Sequence, residues 1–417
     1  MSITRRTALG ALAMPFVARA AQAATARVVV VGGGFGGASV ARALKAGDPS
    51  LEVTLVEANP TYSACPFSNH VIAGLRPIEA QRFDLSGTTR AGASVIQATA
   101  TGVDPTARKV TLQGQSAINY DRLVLSPGVD LNYAALPGYS EAAAERMPHA
   151  WKAGAQTLLL RDQLEAMPDG GVVVMSAPAN PYRCPPGPYE RASLIAYYLK
   201  TQKPRSKLIL LDAKDVFSKQ KLFQQAWASL YPGLLEWVSL SDGGKVNSVD
   251  PTAMTFSTDF NVQKADVANV IPPQRAGAIA ALAGVADRTG WCPIDPMTFE
   301  SKLQANIHVI GDAAIAGAMP KSAFAANAQA KICAAAIIRA LSGQQPVEPR
   351  LMNTCYSLVA PDYGISVAGV YRPVGGVLTD IEGAGGTSPL EASARIRGLE
   401  AGYGEAWFKA ITAEAFG

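Results

Sequence analysis

The segment ARVVVVGGGFGGASVARAL, residues 26–44, constrains this chain more than any other. Four consecutive valines read as a strand buried on both faces, as in a parallel sheet. The glycines after them read as a tight turn, and ASVARAL as the first turns of a helix. Gly32, Gly34 and Gly37 stand in GxGxxG register. Such spacing lets the backbone approach a pyrophosphate that rests on the helix N-terminus. The next apolar run, LEVTLVE, ends at Glu57, where a carboxylate can hold ribose hydroxyls. Together these features predict a dinucleotide-binding βαβ unit in an α/β fold. They do not distinguish NAD from FAD.

The far end of the chain makes that distinction. ANIHVIGDAAIAGAMPKSAFAANAQAKICAAAIIRAL reads as a strand closing on Gly311-Asp312, a loop containing Lys321, and a long helix. It resembles the second FAD signature of flavoproteins with two dinucleotide-binding domains. There the Asp holds the ribityl chain, and a helix aimed at the ring stabilises a reduced, anionic flavin. Lys321 is a further candidate cofactor contact. YDRLVLSPGV, ending on Ser126-Pro127-Gly128, supplies a third element of such folds. Residues 24–145 and 295–345 are therefore predicted to form one FAD-binding domain. Residues 146–294 form a second nucleotide-type domain, and 346–417 a C-terminal interface domain.

That second domain starts as a nucleotide site and then departs from the pattern. The apolar run GVVVMSAPANPY leads into RCPPGPYE, and YERASLIAYYLK follows as a helix. Prolines stand where glycines would receive a phosphate. Proline has no N–H to offer, and its ring obstructs close approach. The domain is predicted not to bind NAD(P)H, so electrons must enter from a smaller donor and leave to a different acceptor.

Of the 417 residues, 48% are hydrophobic and 17% charged, which suits a folded protein with an ample core. The first 23 residues, MSITRRTALGALAMPFVARAAQA, read as an export signal ending on Ala21-Gln22-Ala23. Arg5-Arg6 resembles a twin-arginine signal, with an ordinary Sec signal as the alternative. Without Arg5, Arg6 and Arg19, the 37 basic residues fall to 34 against 33 acidic. A mature chain so nearly neutral gives no case for nucleic acid or an anionic membrane surface. The expected location is a bacterial periplasm, where disulfides persist.

Five cysteines remain: Cys65, Cys184, Cys292, Cys333 and Cys355. An odd number in an exported chain leaves at least one unpaired or otherwise engaged. Cys333, in KICAAAIIRAL, reads as a small core residue, and Cys292, in GWCPID, as buried and inert. Cys184 and Cys355 stand in proline- or turn-rich stretches. Paired, they make either a structural bridge or a redox-active one. None of the five opens a C-x-x-C-H run, so the chain carries no c-type haem by that motif. No metal-ligating set is predicted.

RCPPGPYERAS, GYSEAAAERMPHAWKAG, NVIPPQRAG, GWCPID, PKSAFAANAQ and LMNTCYSLVAPDYGISVA together resemble the flavoprotein subunit of flavocytochrome c sulfide dehydrogenase. The resemblance extends over nearly all of the mature chain. It implies a glutathione-reductase type of fold and an FAD joined through an 8α-thioether to Cys65, in YSACPFSN. It also implies a redox disulfide at Cys184 and Cys355, an active-site glutamate at Glu190 and an aromatic over it at Trp407. Glu190 would move a proton; read without the family, it is equally a carboxylate answering a helix dipole. The implied chemistry is attack of hydrosulfide on Cys184, with Cys355 nearer the flavin and a separate c-type cytochrome as acceptor. The tail from residue 346 is the expected docking surface. The apolar stripe of its last helix, RIRGLEAGYGEAWFKAITAEAF, faces a protein partner or else a membrane, and no stable insertion is expected. Two other readings stay open: an accessory flavoprotein of a sulfur-oxidation complex, and an NAD(P)H-dependent disulfide reductase.

Overall fold

A computed structural model gives the fold for residues 25–417, and the predicted export signal lies outside the described residues. From its N-terminal end the chain forms β1 (Arg27–Val31), α1 (Phe35–Gly47), β2 (Glu52–Glu57), β3 (Ser94–Gln97) and β4 (Arg122–Leu125). There follow β5 (Val172–Ala177), α2 (Gly187–Gln202), β6 (Lys207–Asp212), α3 (Gln220–Leu230), β7 (Leu235–Val238) and β8 (Val267–Val270). The final part contains β9 (Ile307–Val309), α4 (Ala323–Leu341), β10 (Leu351–Ala360), β11 (Tyr363–Val374), β12 (Val377–Asp380) and α5 (Ala394–Phe416).

The first sheet has the order β9-β4-β1-β2-β3, with every pairing parallel. From β1 the chain moves outward to β2 and β3, then crosses to the other side for β4 and β9. The strand order therefore reverses at β1, and a crevice opens beyond the strand ends there. Val28, Val30, Leu123 and Leu125 are wholly buried, in a core that includes α1, α4 and, from the antiparallel ribbon of residues 100–119, Val110 and Leu112. At the turn Gly32 has φ +101°, and a Cβ there would lie 2.3 Å from the Ser126 carbonyl oxygen. A Cβ on Gly37 would lie 1.7 Å from the Gly32 carbonyl oxygen. Only glycine lets α1 settle this closely onto the turn.

The second sheet, β7-β6-β5-β8, is also parallel. Its order reverses between β5 and β8, so residues 178–186 sit where a second nucleotide would bind. α2 begins at Gly187, two residues before the predicted Tyr189, with Pro188 in its first turn. The two sheets are tied by Val129–Leu131, which pairs antiparallel with Gln274–Ala276.

β10, β11 and β12 form an antiparallel sheet, and α5 packs against β11 and β10. The structure divides the apolar side chains of α5 between two environments: Ile396, Leu399 and Tyr403 toward its start are exposed, and most of those toward its end are buried. Ala401, Phe408, Ile411, Ala415 and Phe416 join the core of the first sheet. Phe416 stacks on Phe83 at 5.1 Å and on Tyr62 at 5.3 Å. Among the described residues one helix, α4, is long and apolar enough to cross a membrane, with a mean hydropathy of 1.2. It lies against α1 and β10.

Candidate active site

A cavity of about 530 Å³ opens at the reversal point of the first sheet and runs toward the second sheet and β10. One end is lined by Gly32, Gly33, Gly34 and Glu57. The Gly33 N–H donates to Glu57 Oε2 at 2.6 Å, which ties the end of β2 to the turn. Oε1 of the same carboxylate accepts from the Asn59 N–H at 2.9 Å. Further along, Gly311 and Asp312 reach the cavity from the end of β9. Asp312 Oδ1 is buried and has no partner. Burial raises the pKa of this carboxyl, and Arg183 and Lys321 counter the rise.

Cys65, Cys184, Cys355 and Glu190 come together in the same cavity from three separate segments, Cys184 and Glu190 sharing the one that enters α2. Cys184 has φ +58°, a left-handed conformation unusual for a residue with a side chain. Its N–H donates to the Lys321 carbonyl at 2.8 Å, and its own carbonyl accepts from Gly187 at 2.8 Å. These bonds fix the turn that leads into α2. Cys355 arrives on β10, and Asn353 Nδ2 donates to its Sγ at 3.2 Å. Both thiols are free, and burial pushes both pKa values up. Lys219 restrains the rise at both, and the Asn353 hydrogen bond does so at Cys355.

Glu190 lies in the first turn of α2, yet its carboxylate turns to the cavity rather than capping the helix. Oε1 accepts from the Leu358 N–H at 3.0 Å and Oε2 from Asn69 Nδ2 at 3.1 Å. Burial raises its pKa, against the lowering effect of those bonds and of Lys219 and Arg191. A carboxyl raised in this way holds a proton more readily than an exposed glutamate does. Lys219 Nζ donates to the Cys355 carbonyl and to Ser357 Oγ, each at 2.8 Å. Burial brings its pKa down to about 8 despite the nearby Cys355 and Glu190.

At the second sheet the nucleotide position is filled from within. Asp212 ends β6, where a ribose-binding acid would stand, and it is fully buried. Its oxygens accept from the Tyr189 hydroxyl at 2.7 Å, Trp237 Nε1 at 3.0 Å and Lys214 Nζ at 2.5 Å. Tyr189 is stacked face to face on Phe217 at 3.6 Å, and Lys214 lies 5.0 Å from the Tyr182 ring centre. No free carboxylate remains there for a ribose.

Comparison with known proteins gives the same direction. Residues 157–272 match the family model for the central part of the sulfide dehydrogenase [flavocytochrome c] flavoprotein chain. Residues 347–416 match its flavin-binding part, and 26–164 match the pyridine nucleotide-disulphide oxidoreductases. The flavoprotein chain of Chlorobaculum thiosulfatiphilum sulfide dehydrogenase is 64% identical over 47 residues, 98% of that chain and 11% of this one. The chain belongs to this family of sulfide-oxidising flavoproteins. Mouse mitochondrial sulfide:quinone oxidoreductase is 23% identical over 343 residues, covering 77% of this chain and 72% of the relative. The Aquifex aeolicus sulfide:quinone oxidoreductase structure superposes with a TM-score of 0.74 at 18% identity, covering 94% of this chain and 92% of that one. That likeness shows the fold, a two-domain α/β flavoprotein.

FAD is the cofactor of such a flavoprotein, and the residues present fit it. The cradle of glycines leaves room for a pyrophosphate, Glu57 stands at the end of β2, and the unpartnered Asp312 oxygen awaits a hydroxyl donor such as a ribityl chain offers. Two predicted contacts do not line the cavity. Gly37 lies beneath the turn as packing space. Lys321 turns away: its Nζ donates to the Asp312 and Ala314 carbonyls, both at 2.8 Å, and lies 4.0 Å from the Trp291 ring centre. It supports the Gly311-Asp312 turn from outside. Trp407 lines the cavity, with Phe324 and Tyr356 as ring neighbours at 6.1 and 6.0 Å. Cys292 and Cys333 are fully buried in the core.

Several residues at the site escaped sequence reasoning. Arg183 lines the cavity and donates to the Trp151 carbonyl. Burial opposes its charge, and Cys65 and Asp312 maintain it. Arg191 is buried and bonds Asn69, Asn269 and the carbonyls of His149 and Ala150, which holds Asn69 against Glu190. Arg183 stands beside Cys184 in the quoted motif, and that adjacency was the available signal. Lys219 and Asn69 carry no sequence signal, because each reaches the site through folding alone; Asn353 stands two residues before Cys355 on β10, and strand alternation was its available signal.

Proposed function

We propose that this chain oxidises sulfide at a Cys184–Cys355 disulfide and passes the electrons through FAD, tethered at Cys65, to a c-type cytochrome in the periplasm. One observation carries the proposal: Cys184, Cys355 and Glu190 share a cavity with the flavin cradle, while Asp212 and its aromatic neighbours fill the second nucleotide position. Hydrosulfide attacks one sulfur of the bridge, giving a persulfide on one cysteine and a thiolate on the other. FAD, when bound, accepts an electron pair and can release the electrons singly. Glu190 exchanges the proton that hydrosulfide brings, helped by a pKa that burial has raised. Asp312 anchors the cofactor, and Cys65 supplies the thioether. Export of a chain already folded around its cofactor accounts for the twin-arginine pattern at Arg5-Arg6.

Quinone is the competing acceptor, since the mouse and Aquifex relatives are sulfide:quinone oxidoreductases. Against it, Phe408, Ile411, Ala415 and Phe416 of α5 are spent on the core of the first sheet, which leaves only Ile396, Leu399 and Tyr403 of that helix as large exposed apolar side chains. Steady-state turnover of sulfide by the purified holoprotein separates the readings. Cytochrome c reduction without quinone or NAD(P)H activity is the expected result. Reduction of quinone but never cytochrome c overturns the acceptor. NADPH-driven disulfide reduction overturns the donor. No turnover of sulfide with any acceptor favours the accessory role.

A further inference from the structure

We propose that Asn353 and Lys219 make Cys355 the sulfur that leaves as thiolate when hydrosulfide opens the bridge, so that the incoming sulfur is directed onto Cys184. This rests on the disulfide reading above. Asn353 is a catalytic residue in this scheme, because its Nδ2 touches the reacting Cys355 Sγ at 3.2 Å. Its amide cannot rotate freely. Ser322 caps α4 by accepting from the Ala325 N–H at 3.0 Å, and its hydroxyl donates to Asn353 Oδ1 at 2.6 Å. With Oδ1 engaged, the amide N–H groups are turned toward the sulfur. A hydrogen bond to a charged acceptor is about twice as strong as one to a neutral acceptor, so the bond strengthens as negative charge develops on Cys355.

Lys219 is a positioning residue. It is buried and stands at φ +63° ahead of α3, a left-handed conformation that the surrounding packing must enforce. Its ammonium grips the Cys355 carbonyl and Ser357 Oγ. That places a cation beside the Cys355 segment. The other titratable groups facing Cys355 are Glu190 on α2, Cys184 before it and Tyr371 on β11, all of which oppose a thiolate when charged. Lys219 is the cation among these neighbours.

The step balances without a further reagent. One HS⁻ enters, a new S–S bond forms to Cys184 Sγ, and the Cys184–Cys355 bond breaks. Its electron pair stays on Cys355 as thiolate, and the single negative charge is conserved. Arg183 and Lys219 act on Cys184 through charge alone, and its sulfur has no hydrogen-bond donor corresponding to Asn353, so the opposite cleavage leaves a thiolate without that bond.

Site-resolved alkylation with iodoacetamide, followed by peptide mass spectrometry across pH, tests this on holoprotein. Cys355 is read in Cys184→Ser, and Cys184 in Cys355→Ser. Cys355 should alkylate with a midpoint at lower pH than Cys184. Adding Asn353→Ala should raise the Cys355 midpoint by about one unit and leave that of Cys184 in place. Lys219→Met should raise the Cys355 midpoint similarly, and Lys219→Arg should keep it near the parent value. Melting temperatures recorded alongside separate lost folding from lost charge support. A Cys355 midpoint unmoved in both Asn353→Ala and Lys219→Met, or Cys184 alkylating first, overturns the proposal. The disulfide reading fails separately, if both single-cysteine variants still bleach the flavin with sulfide.

Discussion

Cys65 reaches the cavity just ahead of the short helix Ser68–Ile72, with its Sγ 3.7 Å from the Trp151 carbonyl oxygen. If it carries FAD, acid precipitation of the holoprotein leaves a yellow pellet, and Cys65→Ala releases the flavin to the supernatant. A colourless wild-type pellet would rule out the tether. Cys184→Ser and Cys355→Ser should each abolish bleaching of the flavin by sulfide while the flavin stays bound. Cys333→Ser is the contrasting case. Cys333 is fully buried on α4, so a hydroxyl there costs about 1–3 kcal/mol of stability, read as a lower melting temperature. The bleaching rate of Cys333→Ser should match wild type, and a loss comparable to that of Cys184→Ser would bring Cys333 into the chemistry.

Helix α5 links the end of the chain to the cofactor turn. Phe416 stacks on Tyr62 and Phe83 and lies 5.3 Å from Phe35, ring centre to ring centre. Tyr62 in turn lines the cavity and sits where a Cβ on Gly34 would meet it at 3.1 Å. Removing this ring leaves a void beside the glycine turn. Phe416→Ala is therefore expected to cost about 3–5 kcal/mol and to lower flavin content at the same time. Melting temperature and the ratio of flavin to protein absorbance measure both. Wild-type flavin content in a variant destabilised by that amount would show that α5 supports the core without supporting the turn. Within α2 the division of labour is different. Its first turn gives Glu190 to the cavity, and the buried Tyr189 and Ala192 pack with the second sheet.

At the scale of the whole molecule, three histidines are buried in neutral form. Burial lowers the pKa of His70 to about 4 and of His149 to about 3, and lowers that of His308 as well. Their folded values lie below the ordinary 6.5, so unfolding takes up protons at acid pH. The stability this gives is fully present above pH about 6.5 and is lost as pH falls toward 4 and 3. His70 is the cleanest probe, because neither ring nitrogen has a hydrogen-bond partner and its ring lies 4.7 Å from Phe67. Holoprotein stability should decline below pH 6.5, and His70→Phe should flatten that decline by about one proton. Parallel acid limbs in the two proteins would show that His70 does not titrate on unfolding.

The cofactor half of this protein was legible in the residues themselves. Gly32, Gly34, Glu57 and Gly311-Asp312 are local devices: a backbone that must turn, or a strand that must end on an acid, writes its needs into adjacent residues. The prolines around Cys184 were legible for the same reason, since a missing N–H excludes a phosphate wherever the chain goes. Tertiary structure decided the rest. The stripe of α5 announced apolar contacts but not their partner, because apolar burial is non-directional, and packing gave Phe408, Ile411, Ala415 and Phe416 to the first sheet while Ile396, Leu399 and Tyr403 stayed exposed. Lys321 and Lys219 look alike in sequence, yet one props the Gly311-Asp312 turn and the other holds the strand segment that carries Cys355. Asn69 gained its meaning only when the Ser68–Ile72 helix was brought beside α2, and Asn353, already next to Cys355 on β10, when Ser322 was brought to its amide oxygen. Hydrogen bonds and charge effects act over a few ångströms of space, and a linear chain does not record which distant residues folding will bring that near.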